Sequence, residues 1–226
     1  MDIEIKKTVF LTGGSRGIGK KIGEVLEGNG AEVIAPERRE LDLSSSASIE
    51  KYIKANQDFS PDIFVHCAGI NKLAGIEEIS RDILEEVFQV NYFSAVELLK
   101  AFSGGMRKRQ WGRIIFVSSL YSMVSRERRI AYSSSKNALT GLMKTLTLEL
   151  ASDNILVNAV APGYVMTEMT KRNLSKEEIQ SIEASIPTGK FQEEVDIANL
   201  VAFLCSDLNR SITGQLIGVD GGFTCR

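Results

Sequence analysis

The sequence predicts one doubly wound α/β domain with a mostly parallel central sheet and helices on both faces. Short apolar runs of strand length recur, and most carry apolar residues on consecutive positions, which is typical of strands buried on both faces. Longer segments with helical periodicity separate them, and a glycine-rich turn follows the first run. Strand–helix alternation indicates a parallel sheet. The predicted strands are 8–11, 31–35, 62–66, 113–118, 155–160 and 216–219.

The segments between these strands predict the helices. Apolar residues recur at helical spacing in Gly17–Leu26, Ile83–Phe102, Ala131–Leu150 and Val195–Leu204. No linker, repeat or low-complexity segment interrupts the chain. Residues 1–226 are therefore predicted to form a single domain.

Composition excludes several classes of function. The 226 residues carry a net charge of −2, which disfavours nucleic acid as a partner. No apolar run approaches the roughly 18–20 residues that span a bilayer, and the N-terminus lacks the apolar core of a signal peptide. The three cysteines have neither disulfide nor metal-ligand spacing, so no metal is expected. We expect a cytoplasmic enzyme or binding protein.

The first strand leads into "TGGSRGIG", whose glycines are Gly13, Gly17 and Gly19. Glycine permits a tight turn and close approach of the backbone to a pyrophosphate, which the following helix N-terminus attracts. Ser15, Arg16 and Ile18 complete the predicted phosphate-binding turn. No Gly-Lys-Ser/Thr follows, so the turn is not a Walker-type phosphate loop.

A second motif indicates proton chemistry. Tyr132 and Lys136 lie four apart in a predicted helix and share a face, where an ammonium can lower the pKa of a phenol. Alone, the pair is also typical of a solvated helix surface. Ser119 follows the fourth strand at the sheet edge where ligands bind, with Ser118 as its rival. Asn91 interrupts an apolar helix face, so it either caps a backbone group or orders a water near the lysine.

Together these motifs resemble the short-chain dehydrogenase/reductase family. The matches follow the family's order over nearly the whole chain: "TGGSRGIG", "HCAG" in place of the common Asn-Asn-Ala-Gly, "VN" at 90–91, Ser119, "YSSSK" and "APGYVMT". The C-terminal third resembles the β-ketoacyl-acyl-carrier-protein reductase branch. The resemblance implies a Rossmann-type domain that transfers hydride between a nicotinamide cofactor and a ketone or secondary alcohol, such as a 3-oxoacyl thioester.

The resemblance also implies residue roles. Tyr132 would exchange a proton with the carbonyl oxygen, and Lys136 would lower the tyrosine pKa and hold the nicotinamide ribose. Ser119 would orient the carbonyl, and Asn91 would position a water in a proton relay. Further cofactor contacts are implied for Ala68, Gly69, Pro162, Gly163, Val165 and Thr167.

The type of nicotinamide cofactor depends on the end of the second strand. Glu37 stands near the acid that binds ribose hydroxyls in many family members, whereas Arg38 and Arg16 suit a 2′-phosphate. We favour NADP(H) and keep NAD(H) as an alternative. Asp42 and Leu43 resemble the family's adenine contacts. Only five residues separate "VIA" from "LDL", which leaves no room for the helix that most relatives have there.

Residues 164–190 are predicted to form a substrate lid, with a short helix capped by Ser175 and Glu178. Lys171 and Arg172 could meet an acidic carrier protein that bears an acyl chain, or could simply be solvated. Arginines at 126, 128 and 129 could suit an anionic substrate, although a solvated loop is the alternative. Apolar residues of helix 131–150 cover more of its surface than one core-facing side requires, which favours a subunit interface. The resemblance implies that the assembly is a homotetramer.

Two other functions remain open at this point. One is a non-catalytic dinucleotide-binding regulator, against which the presence of all four catalytic-type residues argues. The other is a reductase or epimerase of a sugar-nucleotide pathway, although such relatives usually have a larger substrate domain. The only histidine, His66, is predicted to make a structural hydrogen bond between strands, and Cys67 to be a small buried hydrophobe.

Overall fold

The computed structural model describes residues 3–167, 170 and 175–225. These residues form a six-stranded sheet with the order β2-β1-β3-β4-β5-β6, in which all neighbouring strands are parallel. All six predicted strands are present. Their bounds are β1 Thr8–Thr12, β2 Glu32–Ile34, β3 Ile63–His66, β4 Gly112–Val117, β5 Ile155–Pro162 and β6 Leu216–Val219.

Helices connect the strands and cover both faces of the sheet, which confirms the predicted fold class. They are α1 Gly17–Gly28, α2 Ser46–Ala55, α3 Arg81–Phe88, α4 Ser94–Arg109, α5 Ile130–Leu150, α6 Lys176–Ser185 and α7 Glu194–Cys205. Within the described part of the chain, no helix is long and apolar enough to cross a membrane.

Two apolar layers hold the helices to the sheet. On one face, α1 and α7 pack against strand residues such as Leu11 and Val65. On the other face, α2, α4 and α5 pack against residues such as Phe10 and Phe64. Alternating residues of one strand therefore enter opposite layers, as a sheet buried on both faces requires. This packing fixes the carboxyl ends of the strands, where the candidate site lies.

The predicted helix 83–102 is present but is not one regular α-helix. Between α3 and α4, residues Gln89–Phe93 form a π-helical turn. The Asn91 amide hydrogen-bonds to the backbone of Ile70 outside the helix, and Ser94 Oγ donates to the Val90 carbonyl at 2.7 Å. These contacts replace regular helical bonding, and π turns of this kind frequently occur at functional sites.

The connection from β2 to α2 is short. Residues 35–45 contain neither helix nor strand, as the spacing predicted. Asp42 stabilises the connection by accepting hydrogen bonds from the Ser44 backbone N–H at 3.0 Å and the Ser44 hydroxyl at 2.7 Å. In the lid, the Ser175–Glu178 capping box at the start of α6 is present. Lys171 and Arg172 lie outside the described residues.

Candidate active site

A cleft of about 940 Å³ runs along the carboxyl ends of β1, β3, β4 and β5. It joins the glycine-rich turn at one end to Tyr132 and Lys136 at the other. Most of the residues predicted from sequence line it: Gly13, Ser15, Arg16, Gly17, Ile18, Gly19, Arg38, Asp42, Leu43, Ala68, Gly69, Ser119, Tyr132, Lys136, Pro162, Gly163, Val165 and Thr167. Glu37 and Asn91 are not among its lining residues.

The backbone of the glycine-rich turn packs too closely for a side chain at two of its glycines. Gly13 has a φ of +73°, and a Cβ there would lie 2.7 Å from the backbone of Ala68. A Cβ on Gly19 would lie 2.0 Å from the Gly13 carbonyl oxygen. Arg16, at the N-cap of α1, makes no side-chain cap, and the first turn of α1 has no acidic residue. Uncapped N–H groups at this helix end suit a pyrophosphate.

Positive charge borders the other side of this turn. Arg38 lines the cleft and is 3.4 Å from the Asp42 carboxylate. Hydrogen bonds from Ser44 are the largest influence that lowers the pKa of Asp42, so this carboxylate is charged at neutral pH. Glu37 instead pairs with Arg39 at 2.9 Å, outside the cleft. Arg16 and Arg38 therefore line the cleft, and Glu37 does not.

The catalytic-type residues meet where β4 passes into α5. Ser119 follows β4, and its hydroxyl accepts a hydrogen bond from the Tyr121 N–H at 3.2 Å, which leaves its own proton free to donate. Ser118 instead donates to the Lys136 carbonyl at 3.2 Å. Lys136 is buried, and its ammonium donates to the Val117 carbonyl at 2.8 Å. The ammonium is 5.8 Å from the centroid of the Tyr132 ring.

The protonation of this group differs from the sequence-based expectation. Burial is the largest influence on Tyr132 and raises its pKa, while the Ser119 hydrogen bond and the Arg129 charge act in the opposite direction. The Lys136 ammonium, which the sequence predicted to lower the pKa of Tyr132, donates a hydrogen bond to the Val117 carbonyl. Burial also lowers the pKa of Lys136 to about 8. At neutral pH, Tyr132 is therefore a phenol and Lys136 is an ammonium.

Asn91 links three segments next to this group. Its side chain accepts from the Ile70 N–H at 2.8 Å and donates to the Ile70 carbonyl and to Ser135 Oγ, both at 3.0 Å. A Cβ on Gly69 would lie 3.2 Å from the Lys136 ammonium and 3.5 Å from Asn91 Oδ1. Asn91 thus lies directly behind the cleft, and its side chain caps a backbone segment, one of the two roles left open by the sequence.

His66 is fully buried behind the same wall. Its Nε2 lies 3.2 Å from the Asn91 carbonyl, which can only accept, so Nε2 carries the proton and donates. Nδ1 is then the acceptor and receives a hydrogen bond from the Thr12 hydroxyl at 2.9 Å. Burial lowers the pKa of His66 to about 3 and raises that of the Cys67 thiol to about 11. His66 therefore has the predicted structural role, joining β1 to the π-helical turn. Cys67 is half-buried and lines the cleft.

Pro162 is the last residue of β5, Gly163 follows it, and both line the cleft. A Cβ on Gly163 would lie 2.6 Å from the Asp220 backbone, so the loop can close only around glycine. Val165 pairs with Gln192 in an isolated bridge, and Thr167 Oγ1 accepts from the Thr170 N–H at 3.1 Å. The bridge joins segment 164–190 to Gln192, ahead of α7, and the Thr167–Thr170 hydrogen bond lies within that segment.

Several lining residues were not predicted. Some are chain neighbours of the motifs and could have been inferred from them: Thr12, Gly14, Ser44, Cys67, Ile70, Val90 and Val117. Lys20, Lys21, Pro36 and Leu41 are likewise chain neighbours of predicted positions, whereas Glu24, Glu86 and Glu194 reach the cleft through tertiary packing.

The fold and the cleft together define a dinucleotide-dependent oxidoreductase of the short-chain type. A family model described as enoyl-(acyl carrier protein) reductase matches residues 35–224. The chain is 36% identical to the 3-oxoacyl-[acyl-carrier-protein] reductase FabG of Aquifex aeolicus, over 98% of this chain and 99% of that protein. It is 35% identical to the FabG of Escherichia coli, with 96% of both covered.

Solved structures agree with this assignment. A structure assigned as an NAD(P)-dependent gluconate 5-dehydrogenase of Beutenbergia cavernae, with bound NADP at low occupancy, superposes with a TM-score of 0.91. The two chains share 29% identity and cover 98% of each other. The protein belongs to the short-chain dehydrogenase/reductase family and is an oxidoreductase.

Proposed function

We propose that this protein uses NADP(H) to interconvert a ketone and a secondary alcohol, with 3-oxoacyl thioesters as the first substrate class to test. The observation that carries the proposal is the convergence of Ser119, Tyr132 and Lys136 on one end of a cleft whose other end is the glycine-rich turn. A non-catalytic regulator has no need for such a group, and the family relatives are named as reductases.

The chemistry of reduction follows from these side chains. The nicotinamide, when bound, supplies the hydride. The Ser119 hydroxyl has a free proton and orients the substrate carbonyl by donating a hydrogen bond to its oxygen. Tyr132 is protonated at neutral pH because burial raises its pKa, so it donates the proton that the carbonyl oxygen acquires. In the reverse direction the same tyrosine accepts a proton.

Lys136 and Asn91 act behind the tyrosine. As an ammonium at neutral pH, Lys136 stabilises the negative charge that Tyr132 develops on giving up its proton. The Asn91 side chain fixes the backbone of Ile70, and hence the wall beside Lys136. We assign Lys136 to the nicotinamide ribose as well, and the Asn91 region to a water that returns the proton.

The chain's own residues fit a phosphorylated dinucleotide. The uncapped N-terminus of α1 and the glycines of the turn suit the pyrophosphate. Arg16 and Arg38 line the cleft, while Glu37 is paired with Arg39 outside it. Arg38 pairs with Asp42, so a 2′-phosphate would meet Arg16 directly and would compete with Asp42 for Arg38. Guanidinium groups bind a 2′-phosphate well, which favours NADP(H) over NAD(H).

The assembly and the carrier are further proposals. Phe93 in the π-helical turn and Leu148 in α5 are exposed apolar side chains, at 45% and 86% of their full accessibility. We assign these helices to the interface of a homotetramer, whose mass light scattering after size exclusion would report. An acyl chain delivered on an acidic carrier protein remains one candidate for the substrate.

The test is a screen of NADPH and NADH oxidation over a panel of ketones that includes acetoacetyl thioesters. Tyr132→Phe removes the proton donor and keeps the ring. We expect it to lower turnover roughly a hundredfold or more, as is typical for loss of a general acid. NADPH affinity, measured by fluorescence, should stay unchanged. Undiminished turnover in this variant would refute the mechanism, and cofactor binding without turnover of any ketone would favour a regulator.

A further inference from the structure

A second group of polar side chains lies beside Tyr132 but outside the cleft. It comprises Tyr121, Arg126, Arg129 and Tyr164, and none of these four lines the cleft. Tyr121 lies two residues after Ser119, the two arginines precede α5, and Tyr164 lies two residues after β5. This group, the arginine–tyrosine cluster, adjoins Tyr132 through the Tyr121 ring. What it binds can be inferred from its charges, given the proposed function.

Arg128 holds the segment that carries both arginines. Its guanidinium donates to both carboxylate oxygens of Glu78, at 2.8 and 2.6 Å. Its backbone has a φ of +62°, and its carbonyl accepts from the Ala74 N–H at 3.2 Å. Glu78 thus neutralises Arg128, and the turned backbone presents the next residue, Arg129, to a different neighbour.

That neighbour is Tyr121. The guanidinium carbon of Arg129 is 5.4 Å from the centroid of the Tyr121 ring, within the range of a cation–π contact. The Tyr121 ring in turn meets the Tyr132 ring edge-on, with centroids 6.3 Å apart and an angle of 81°. Arg129 is close enough for its charge to oppose the rise in the Tyr132 pKa. An anion bound at Arg129 would therefore lie on the Tyr121 side of the Tyr132 ring.

Tyr164 and Arg126 complete the cluster. The hydroxyl oxygens of Tyr164 and Tyr121 are 3.5 Å apart, and the Tyr164 ring packs edge-on against Phe191 and Phe223. Burial raises the pKa of Tyr164 to about 12, although Arg126 acts in the opposite direction. Tyr164 therefore keeps its proton and can donate a hydrogen bond. Its rigid packing places this donor next to two positive charges.

The charge of the cluster is not balanced by the described protein. Among residues 3–167, 170 and 175–225, no carboxylate lies within salt-bridge distance of Arg126 or Arg129, whereas Arg128 in the same segment is paired. Two guanidinium groups and two phenol donors beside a carbonyl-binding site are suited to a carboxylate or phosphate, which such donors bind with charge-assisted hydrogen bonds.

We propose that Arg126 and Arg129, with the hydroxyls of Tyr121 and Tyr164, bind an oxyanion group of the substrate. The substrate is then an oxo acid or another anionic ketone, and not a neutral one. This inference rests on the proposed function and names its substrate class. The oxyanion has two candidate sources, a carboxylate of the substrate itself or a phosphate on the arm of a thioester carrier.

The test compares anionic and neutral substrates in matched pairs. Acetoacetate is paired with ethyl acetoacetate, and acetoacetyl coenzyme A with the neutral acetoacetyl-N-acetylcysteamine. Arg129→Gln and Arg126→Gln are measured against the wild type. The control is Arg81→Gln, which removes the same charge from an exposed side chain of α3 paired with Glu85.

We expect Arg129→Gln to lower kcat/KM roughly ten- to hundredfold for the anionic member of a pair, the usual size for one charge-assisted hydrogen bond. For the neutral member, kcat/KM of Arg129→Gln should change less than about threefold. In the Arg81→Gln control, kcat/KM should change less than about threefold for both members. Loss confined to acetoacetate assigns the oxyanion to the substrate's own carboxylate, and loss confined to the coenzyme A thioester assigns it to the phosphate arm. Equal loss for both members, or no loss for either, would overturn the proposal.

Calorimetry separates this proposal from the proposed function. Acetoacetate titrated into the protein loaded with NADP⁺ tests binding without turnover, and Arg129→Gln should weaken it by a similar factor. If no ketone is reduced but this difference is seen, the proposed function fails and the oxyanion site stands. If ketones are reduced without discrimination between the members of a pair, the proposed function stands and the oxyanion site fails.

Discussion

Gly19→Ala tests whether the turn after β1 holds a pyrophosphate. The added Cβ would lie 2.0 Å from the Gly13 carbonyl oxygen, and real Cβ contacts are essentially never under 3.0 Å. The two atoms must therefore separate by about 1 Å, a distance that a backbone carbonyl can cover only if the turn itself moves. Such a movement displaces the N–H groups that face the phosphates.

Each charge-assisted N–H contact to a phosphate contributes about 1.5–3 kcal/mol, and 1.4 kcal/mol corresponds to a tenfold change in affinity. Loss of one such contact thus predicts a Kd for NADPH that is roughly 10- to 150-fold higher, measured by quenching of protein fluorescence. The matched control is Gly28→Ala at the end of the same helix, where a Cβ meets nothing within 4 Å. It should bind NADPH normally and gain about 0.5–1 kcal/mol of stability. Wild-type affinity in a folded Gly19→Ala variant would refute the reasoning.

Three further predictions concern charge and protonation. Reduction should slow as pH rises through about 8, because Lys136 then loses its proton, and a pH–rate profile that stays flat to pH 10 would contradict this. Arg38→Gln should raise the Kd for NADPH more than that for NADH, whereas Glu37→Gln, which removes a charge outside the cleft, should change neither appreciably. His66 has a folded pKa of about 3 against an ordinary 6.5, so its contribution to stability is complete above pH 6.5 and is lost as pH falls below that value. We expect the His66→Asn variant to keep most of the wild-type turnover. Between pH 7 and pH 5 its free energy of unfolding should fall by about 2 kcal/mol less than that of the wild type, as measured by urea titration at both pH values.

Local patterns predicted the strands and the site because their physical causes are local. Buried parallel strands require runs such as Ile63–His66, in which all four residues are buried. The four-residue spacing of Tyr132 and Lys136 fixes their common helix face, and glycine at 13 and 19 reflects backbone contacts that no other residue permits. The capping box at Ser175 is likewise a short-range signal.

What the sequence did not predict depends on tertiary contacts. The sequence contains Asn91 but does not reveal its hydrogen bonds to Ile70, twenty-one residues away in the chain, or the π-helical turn in which it lies. The direction of the Tyr132 pKa depends on burial and on where the Lys136 ammonium is directed. Likewise, the three arginines at 126–129 are equivalent in sequence, and only the pairing of Arg128 with Glu78 distinguishes them.

The all-parallel strand order also governs how the chain reaches its fold. All neighbouring strands of the sheet are parallel, so no hairpin joins them. β1 has hydrogen-bonding partners along both edges only after it pairs with β3, more than fifty residues away in the chain. The chain loses conformational entropy on closing these long loops before the contacts between strands stabilise the sheet. Parallel sheets therefore fold slowly and expose strand edges while they fold. β1 thus stays unpaired on one edge until Ile63–His66 is available, and a strand edge exposed in that interval favours aggregation.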